Sequence, residues 1–139
     1  MNSRIEEAVA RHKKGYNCSQ AVLCTYCDLF DMDEKTAFRV AEGFGGGMGG
    51  MHGTCGAVTG MFMTLGLLNS DGNIEEPGKT KKQTYAIIRH KAEAFQEKNS
   101  SMICADLLGV SGKPKLRSCD GCIEDSARII EEYINTNGE

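Results

Sequence analysis

The sequence has little of what marks membrane, secreted or β-rich proteins. Only two prolines occur among 139 residues, and strand-like alternation of apolar and polar residues is scarce. The longest strongly apolar run, Ala57 to Leu68, is too short for a membrane span of about 20 residues, and glycine and threonine interrupt it. The charged segment from Met1 to Lys14 lacks the apolar centre of a signal peptide. We therefore expect a cytoplasmic protein with no membrane association.

The chain also has no excess of positive charge. Its formal net charge is −3, and no basic stripe is interleaved with aromatic residues, which argues against a nucleic-acid partner. Apolar residues make up 40% of the chain and charged residues 25%, an ordinary composition for a globular protein. We see no internal repeat and no linker. Residues 1–139 are therefore expected to form a single domain.

Helical periodicity dominates the rest of the sequence, and capping residues divide it into about six or seven helices. Ser3 with Glu6 and Asn17 with Gln20 have the spacing of a capping box, and Asp33, Ser101 and Ser118 are also expected to cap helices. The predicted helices run from the Ser3 cap to Gly15, from the Asn17 cap to about Leu29, from Glu34 to about Glu42, from Cys55 to near Asn69, from Thr80 to about Lys98, from Met102 to Leu108 and from Cys119 to about Ile134. This pattern predicts an all-α, single-domain bundle.

A glycine-rich stretch precedes the predicted central helix. The uncharged segment from Phe44 to Gly53 is too rich in glycine to hold a helix or strand at low cost, so we expect a loop. Thr54 is expected to cap the apolar helix that follows, in which Gly56, Gly60 and Gly66 would let another helix approach closely. That helix could pack within the monomer or across a homodimer. No strand precedes the glycines, so a dinucleotide site is disfavoured.

Four of the seven cysteines fall at predicted helix starts. Cys18, Cys55 and Cys119 each follow a capping residue directly, and Cys104 lies in the first turn of its helix. Unpaired N–H groups and the positive end of the helix dipole stabilise an anion there, which lowers the pKa of a thiol. Thiolates are both nucleophiles and metal ligands. Four such ends, if they converge, would form a shared site.

The remaining cysteines form two C-x-x-C pairs with different expectations. Cys24 and Cys27 lie inside a helix, and Cys27 shares a face with apolar residues, so we expect a core position for it. Cys119 and Cys122 lie at a helix start, the geometry of thioredoxin-like dithiols, although no βαβ pattern accompanies them. Two C-x-x-C pairs also suggest a zinc site, but more than ninety residues separate them, far more than in compact zinc ribbons.

The three histidines have different positions relative to the cysteines. His52, three residues before Cys55, could ligate a metal or donate a hydrogen bond to a sulfur. His12 and His90 are expected on polar helix faces, at the surface.

These residues resemble the C_GCAxxG_C_C family of redox-active proteins, named for its cysteine pattern. The four ordered elements that carry the resemblance begin at Gly15-Tyr16-Asn17-Cys18, Cys55-Gly56-Ala57-Val58-Thr59-Gly60, Cys104-Ala105-Asp106-Leu107 and Cys119, with Cys122 as a second candidate for the fourth cysteine. Thr54 stands where the family name has glycine, and Gly56 separates Cys55 from Ala57. The chain is similar also to a domain of split-Soret cytochromes, for which an iron–sulfur centre has been proposed. The resemblance implies a small helical protein acting in electron transfer or thiol redox chemistry.

Together, these observations lead to one principal expectation and two alternatives. The principal one is an electron carrier, rather than a stand-alone enzyme, that serves a redox partner protein. Its iron–sulfur cluster would be held by Cys18, Cys55, Cys104 and either Cys119 or Cys122, with Gly56, Gly60 and His52 in support. The first alternative is a thiol–disulfide oxidoreductase that uses Cys119 and Cys122, or a pair drawn from the four cysteines at helix starts. The second is a structural zinc protein, or a helical interaction module whose cysteines are core residues and bind no cofactor.

Overall fold

A computed structural model describes residues 1–137, which form an all-α domain. Its seven α-helices are α1 (Ile5–Lys14), α2 (Cys18–Tyr26), α3 (Glu34–Ala41), α4 (Gly56–Asn69), α5 (Lys81–Asn99), α6 (Cys104–Leu108) and α7 (Cys119–Asn137). Short 3₁₀ turns lie at Cys27–Phe30, Glu42–Phe44 and Val110–Gly112. Within the described residues there is no strand, only an isolated antiparallel bridge between Thr54 and Ile103. The all-α prediction is confirmed.

Helix α4 is the centre of the bundle, with α2, α5 and α7 packed around it. Its closest neighbour is α2, because two glycines remove the side chains that would separate the two helices. A Cβ on Gly56 would lie 3.2 Å from the Cβ of Cys18, and one on Gly60 would lie 2.9 Å from the carbonyl oxygen of Ser19. Gly66 faces open space, so the expectation that it also permits close helix packing is wrong.

Three predicted N-caps are present as expected. The Asn17 side chain accepts from the Gln20 N–H while the Gln20 side chain accepts from the Asn17 N–H, which completes a capping box at the start of α2. Asp33 caps α3. The Ser118 hydroxyl accepts from the N–H of Gly121 at 3.0 Å and caps α7. These caps place Cys18 and Cys119 at the first helical positions of α2 and α7.

Four other helix starts differ from the sequence-based prediction by one or two residues, and one of them is that of α5, which begins at Lys81 rather than Thr80. Helix α1 begins at Ile5, and the expected capping box does not form because Arg4 is the N-cap residue. Thr54 does not cap α4, because its backbone pairs with Ile103 and Cys55 takes the N-cap position. Helix α6 begins at Cys104 rather than Met102. In the last two cases, the backbone bridge holds the residues before the helix in an extended conformation.

The apolar core is divided into two clusters. The larger one lies among α1, α2, α4, α5 and α7 and contains Tyr26, Met61, Phe95 and Ile123. The smaller one lies between α2 and α3 and contains Leu23, Cys24, Cys27, Ala37 and Ala41. Cys24 and Cys27 are therefore core residues, as expected for Cys27 from its place on the apolar face of its helix. Among residues 1–137, no helix has both the length and the apolar character needed to cross a membrane.

Candidate functional site

Five of the seven cysteines line one small cavity. Cys18, Cys55, Cys104, Cys119 and Cys122 border a space of about 220 Å³ between the N-terminal ends of the helices. Four of them are buried, and Cys119 is partly exposed. The structure thus brings together every cysteine that the sequence analysis selected for a shared site. Metal binding by these thiols stays a prediction.

The helix starts explain why the five sulfurs converge. Cys18, Cys104 and Cys119 are the first residues of α2, α6 and α7, and Cys55 is the N-cap residue of α4. Cys122 lies one turn into α7. The N–H groups in the first turn of a helix have no partner within the helix. The cavity is therefore bordered by backbone groups that favour negative charge on sulfur.

The glycine-rich loop closes one side of the cavity, where Gly46 and Gly47 form part of the lining. Gly47 has φ = +70°, and a Cβ there would lie only 2.7 Å from the Cβ of Cys104, so only glycine fits. The N–H of Cys104 donates to the carbonyl oxygen of Gly53 at 2.6 Å, and the N–H of Cys55 donates to that of Met102 at 2.8 Å. These bonds tie the loop to the start of α6.

The thiols interact in two pairs, each of which connects different helices. A hydrogen bond from Cys18 lowers the pKa of Cys119 to about 6, and the nearby His12 and Lys115 act in the same direction. The same bond, together with burial, raises the pKa of Cys18 well above its ordinary value. Cys119 is therefore the thiolate of this pair at neutral pH.

The second pair joins α4 to α7. A hydrogen bond with Cys122 lowers the pKa of Cys55, and the amides of Val58 and Ala57 in the first turn of α4 also favour its thiolate. The bond to Cys55 and burial both raise the pKa of Cys122. The two cysteines of the Cys119-x-x-Cys122 motif thus have different partners, Cys18 for Cys119 and Cys55 for Cys122.

Cys104, the fifth thiol, belongs to neither pair. Burial raises its pKa, and the neighbouring sulfurs of Cys55 and Cys119 raise it further. It would be protonated at neutral pH, because burial and negative charge on the neighbouring sulfurs both disfavour its thiolate.

His12 is a member of the site that the sequence analysis missed. Its Nε2 lies 4.0 Å from Sγ of Cys18, and its Nδ1 lies 2.7 Å from Oδ1 of Asp120. His12, Cys18 and Cys119 have their ligand atoms within 4.8 Å of one another and could hold a metal ion. The expectation of a polar surface position was wrong, because His12 follows Ile5, Ala8 and Val9 at helical spacing. This spacing was the sequence signal that placed it on the inner face of α1.

The other two histidines lie outside the site. His52 is exposed, and it is its backbone carbonyl that contacts the site region, accepting from the N–H of Ala105 at 3.2 Å. Its φ of +58° marks it as part of the loop turn. The His52 ring therefore does not line the cavity, where it was expected to support the metal site. His90 is exposed on α5, as predicted.

Comparison with known proteins agrees with the cysteine pattern. A family model described as "Putative redox-active protein (C_GCAxxG_C_C)" matches residues 16–133, which include all seven cysteines and most of the described helices. No curated protein and no solved structure matches the chain. Because the match covers most of the sequence, the chain belongs to the C_GCAxxG_C_C family of redox-active proteins.

Proposed function

We propose that this protein is an electron carrier that holds an iron–sulfur cluster among the cysteines of the cavity. The observation that carries the proposal is the meeting of five cysteines from the starts of four helices around one space of about 220 Å³. Cysteine thiolates are the usual ligands of such clusters, and four are needed. When bound, the cluster would supply one-electron transfer to and from a redox partner protein.

The surroundings of the sulfurs suit an anionic group. The starts of α2, α4 and α7 border the cavity, and in α4 the N–H groups of Ala57 and Val58 stabilise negative charge on the Cys55 sulfur. Such N–H groups tune the potential of sulfur-ligated metals. Gly46 and Gly47 lack side chains that would fill the space. Leu107 and Leu108 make the lining largely apolar, which limits the access of water. The cavity is therefore both roomy enough and shielded enough for a small inorganic group.

The chain offers more thiols than a cluster needs. Cys18, Cys55 and Cys104 would be ligands, with Cys119 or Cys122 as the fourth. The structure favours Cys119 in this role, because its pKa of about 6 makes it a thiolate at neutral pH, whereas Cys122 keeps its proton through the bond to Cys55. Cys122 would then hold its hydrogen bond to the sulfur of Cys55.

The test is anaerobic purification followed by visible absorption and by iron and sulfide analysis. We expect a coloured protein. The single substitutions Cys18→Ser, Cys55→Ser and Cys104→Ser should each abolish or strongly reduce its iron content. Cys24→Ala and Cys27→Ala are matched controls, since both cysteines are buried in the separate cluster between α2 and α3. A wild-type protein that stays colourless and free of iron after anaerobic reconstitution would refute the proposal.

A second candidate function is thiol–disulfide exchange, and the Cys18–Cys119 pair favours it. Their sulfurs lie within 4.8 Å of each other, and Cys119 has the low pKa of an attacking thiol. In this reaction the Cys119 thiolate would attack a disulfide of a partner, break its S–S bond and release one partner sulfur as a thiolate. Cys18 would then lose its proton, form a bond to the Cys119 sulfur and release the second partner sulfur, so that the partner gains two electrons. Peptide mapping after mild oxidation should find a Cys18–Cys119 disulfide. A Cys119–Cys122 disulfide instead would contradict this assignment.

A further inference from the structure

We propose that His12 is a nitrogen ligand of the metal in this cavity, beside Cys18 and Cys119, and that Asp120 holds it in place. The inference rests on the proposed function in one respect, since it requires a metal in the cavity. It goes further, because it gives one of the four ligand positions in the cavity to a histidine in place of a cysteine. Three observations carry it: the distance from the ring to the sulfur, the position of Asp120 and the burial of the ring.

The first observation is that the ligand atoms are already close enough to share a metal ion. A Zn²⁺ ion holds nitrogen at about 2.0–2.1 Å and sulfur at about 2.3 Å, so one ion can join a nitrogen and a sulfur only if they lie within roughly 4.4 Å. Nε2 of His12 and Sγ of Cys18 are 4.0 Å apart. The sulfur of Cys119 completes a group whose ligand atoms all lie within 4.8 Å of one another. A small movement of one side chain would let Nε2 bind a metal that one of these sulfurs also binds.

The second observation is the hydrogen bond on the far side of the ring. Nδ1 lies 2.7 Å from Oδ1 of Asp120, and a carboxylate only accepts, so Nδ1 carries the proton. With Nδ1 holding this proton, Nε2 is the nitrogen whose lone pair can bind a metal beside Cys18. A carboxylate that fixes the tautomer and orientation of a histidine in this way is the usual outer partner of a metal-ligating histidine.

The third observation separates this arrangement from an ordinary surface pair. An exposed His–Asp pair contributes little to stability and leaves the far ring nitrogen in water. Here the side chain of His12 is only 28% exposed, its ring lines the cavity, and Nε2 faces a sulfur. The ring joins the last turn of α1 to the first turn of α7, so both helices fix its position.

The experiment uses the full chain, purified without oxygen and with its histidines labelled with ¹⁵N. One sample is reconstituted with iron and sulfide and reduced, and pulsed EPR then measures nitrogen coupling to the unpaired electron. A second, metal-free sample is titrated with Co²⁺, whose visible spectrum reports sulfur and nitrogen ligands. We expect a strongly coupled histidine nitrogen in the first sample and a mixed nitrogen–sulfur spectrum in the second.

The variants assign the signal. His12→Ala should abolish the coupling while the cysteine-to-metal absorption remains. Asp120→Ala should lower the Co²⁺ affinity by about 10–100-fold, as is usual when the outer partner of a ligand is lost. His52→Ala and His90→Ala are the matched controls, and neither should change the coupling or the affinity.

The outcomes separate the two proposals. A cluster that forms without a coupled histidine nitrogen would overturn the role of His12 and leave the electron carrier standing. Co²⁺ bound through His12 in a protein that never takes up iron and sulfide would support His12 and refute the cluster. A chain that binds neither metal would overturn both.

Discussion

Replacement of Gly60 by alanine provides a sharp test of the close contact between α2 and α4. The added Cβ would lie 2.9 Å from the carbonyl oxygen of Ser19 and 2.9 Å from the Cβ of Val22. Both atoms belong to, or are bonded directly to, the backbone of α2, so no side-chain rotation can relieve the clash. The two helices would have to move apart at Ser19, the residue that follows Cys18.

The size of the effect follows from two opposing contributions. Overpacking of a filled core costs about 1–3 kcal/mol. Alanine is better than glycine in a helix by about 0.5–1 kcal/mol, which offsets part of that cost. We expect a net loss of about 1–2 kcal/mol in the free energy of unfolding, which in a domain of this size lowers Tm by roughly 3–8 °C.

Gly66→Ala is the matched control in the same helix. No atom lies within 4 Å of the Cβ that alanine would add there, so only the helix preference of alanine remains. This variant should raise the free energy of unfolding by about 0.5–1 kcal/mol. Thermal unfolding followed by circular dichroism measures both changes. A Gly60→Ala protein as stable as the wild type, or a destabilised Gly66→Ala protein, would refute this account of the helix contact.

Three further predictions concern the thiols, a buried carboxylate and a helix cap. In metal-free reduced protein, the rate of alkylation of Cys119, measured by mass spectrometry, should be constant above pH 7 and fall as the pH drops through about 6. Cys24 is the unreactive control, because burial raises its pKa to about 12. Cys18→Ala should move the alkylation profile of Cys119 to higher pH. Burial alone would raise the pKa of Asp125, but the Lys, Arg and Asn side chains bonded to it lower the pKa overall. The folded protein should therefore lose stability as the pH falls below the usual range of aspartate. Asp125→Asn should weaken this loss in acid unfolding curves. Asn17→Ala should lower the free energy of unfolding by about 1 kcal/mol in urea titrations, while Asn17→Asp, which keeps the cap oxygen, should lose less.

The helices could be predicted from the sequence because their signals are local. A capping side chain and the N–H it accepts from are three residues apart, so Asn17, Asp33 and Ser118 marked helix starts correctly without knowledge of the fold. The helix starts predicted from Thr54 and Ser101 were wrong for the opposite reason, because they depend on a contact between distant residues. The bridge between Thr54 and Ile103 joins residues 49 positions apart, and no local pattern reports such a pairing.

The histidines show the same division at the site. Sequence proximity to Cys55 favoured His52, but a left-handed turn leaves that residue exposed. His12 lies 108 residues from Asp120, and only the packing of α1 against α7 brings the two together.

The sequence by itself determined the all-α architecture, the glycine loop and the placement of four cysteines at or beside helix starts, since each of these depends on residues within one turn of each other. The tertiary structure alone decided which thiols meet. It paired Cys119 with Cys18, and Cys122 with Cys55, across helices. It also brought His12 to the cavity. The physical reason is that the site depends on the distance between α2 and α4, which Gly56 and Gly60 keep short. A distance between two helices depends on how the whole core packs and not on any single segment.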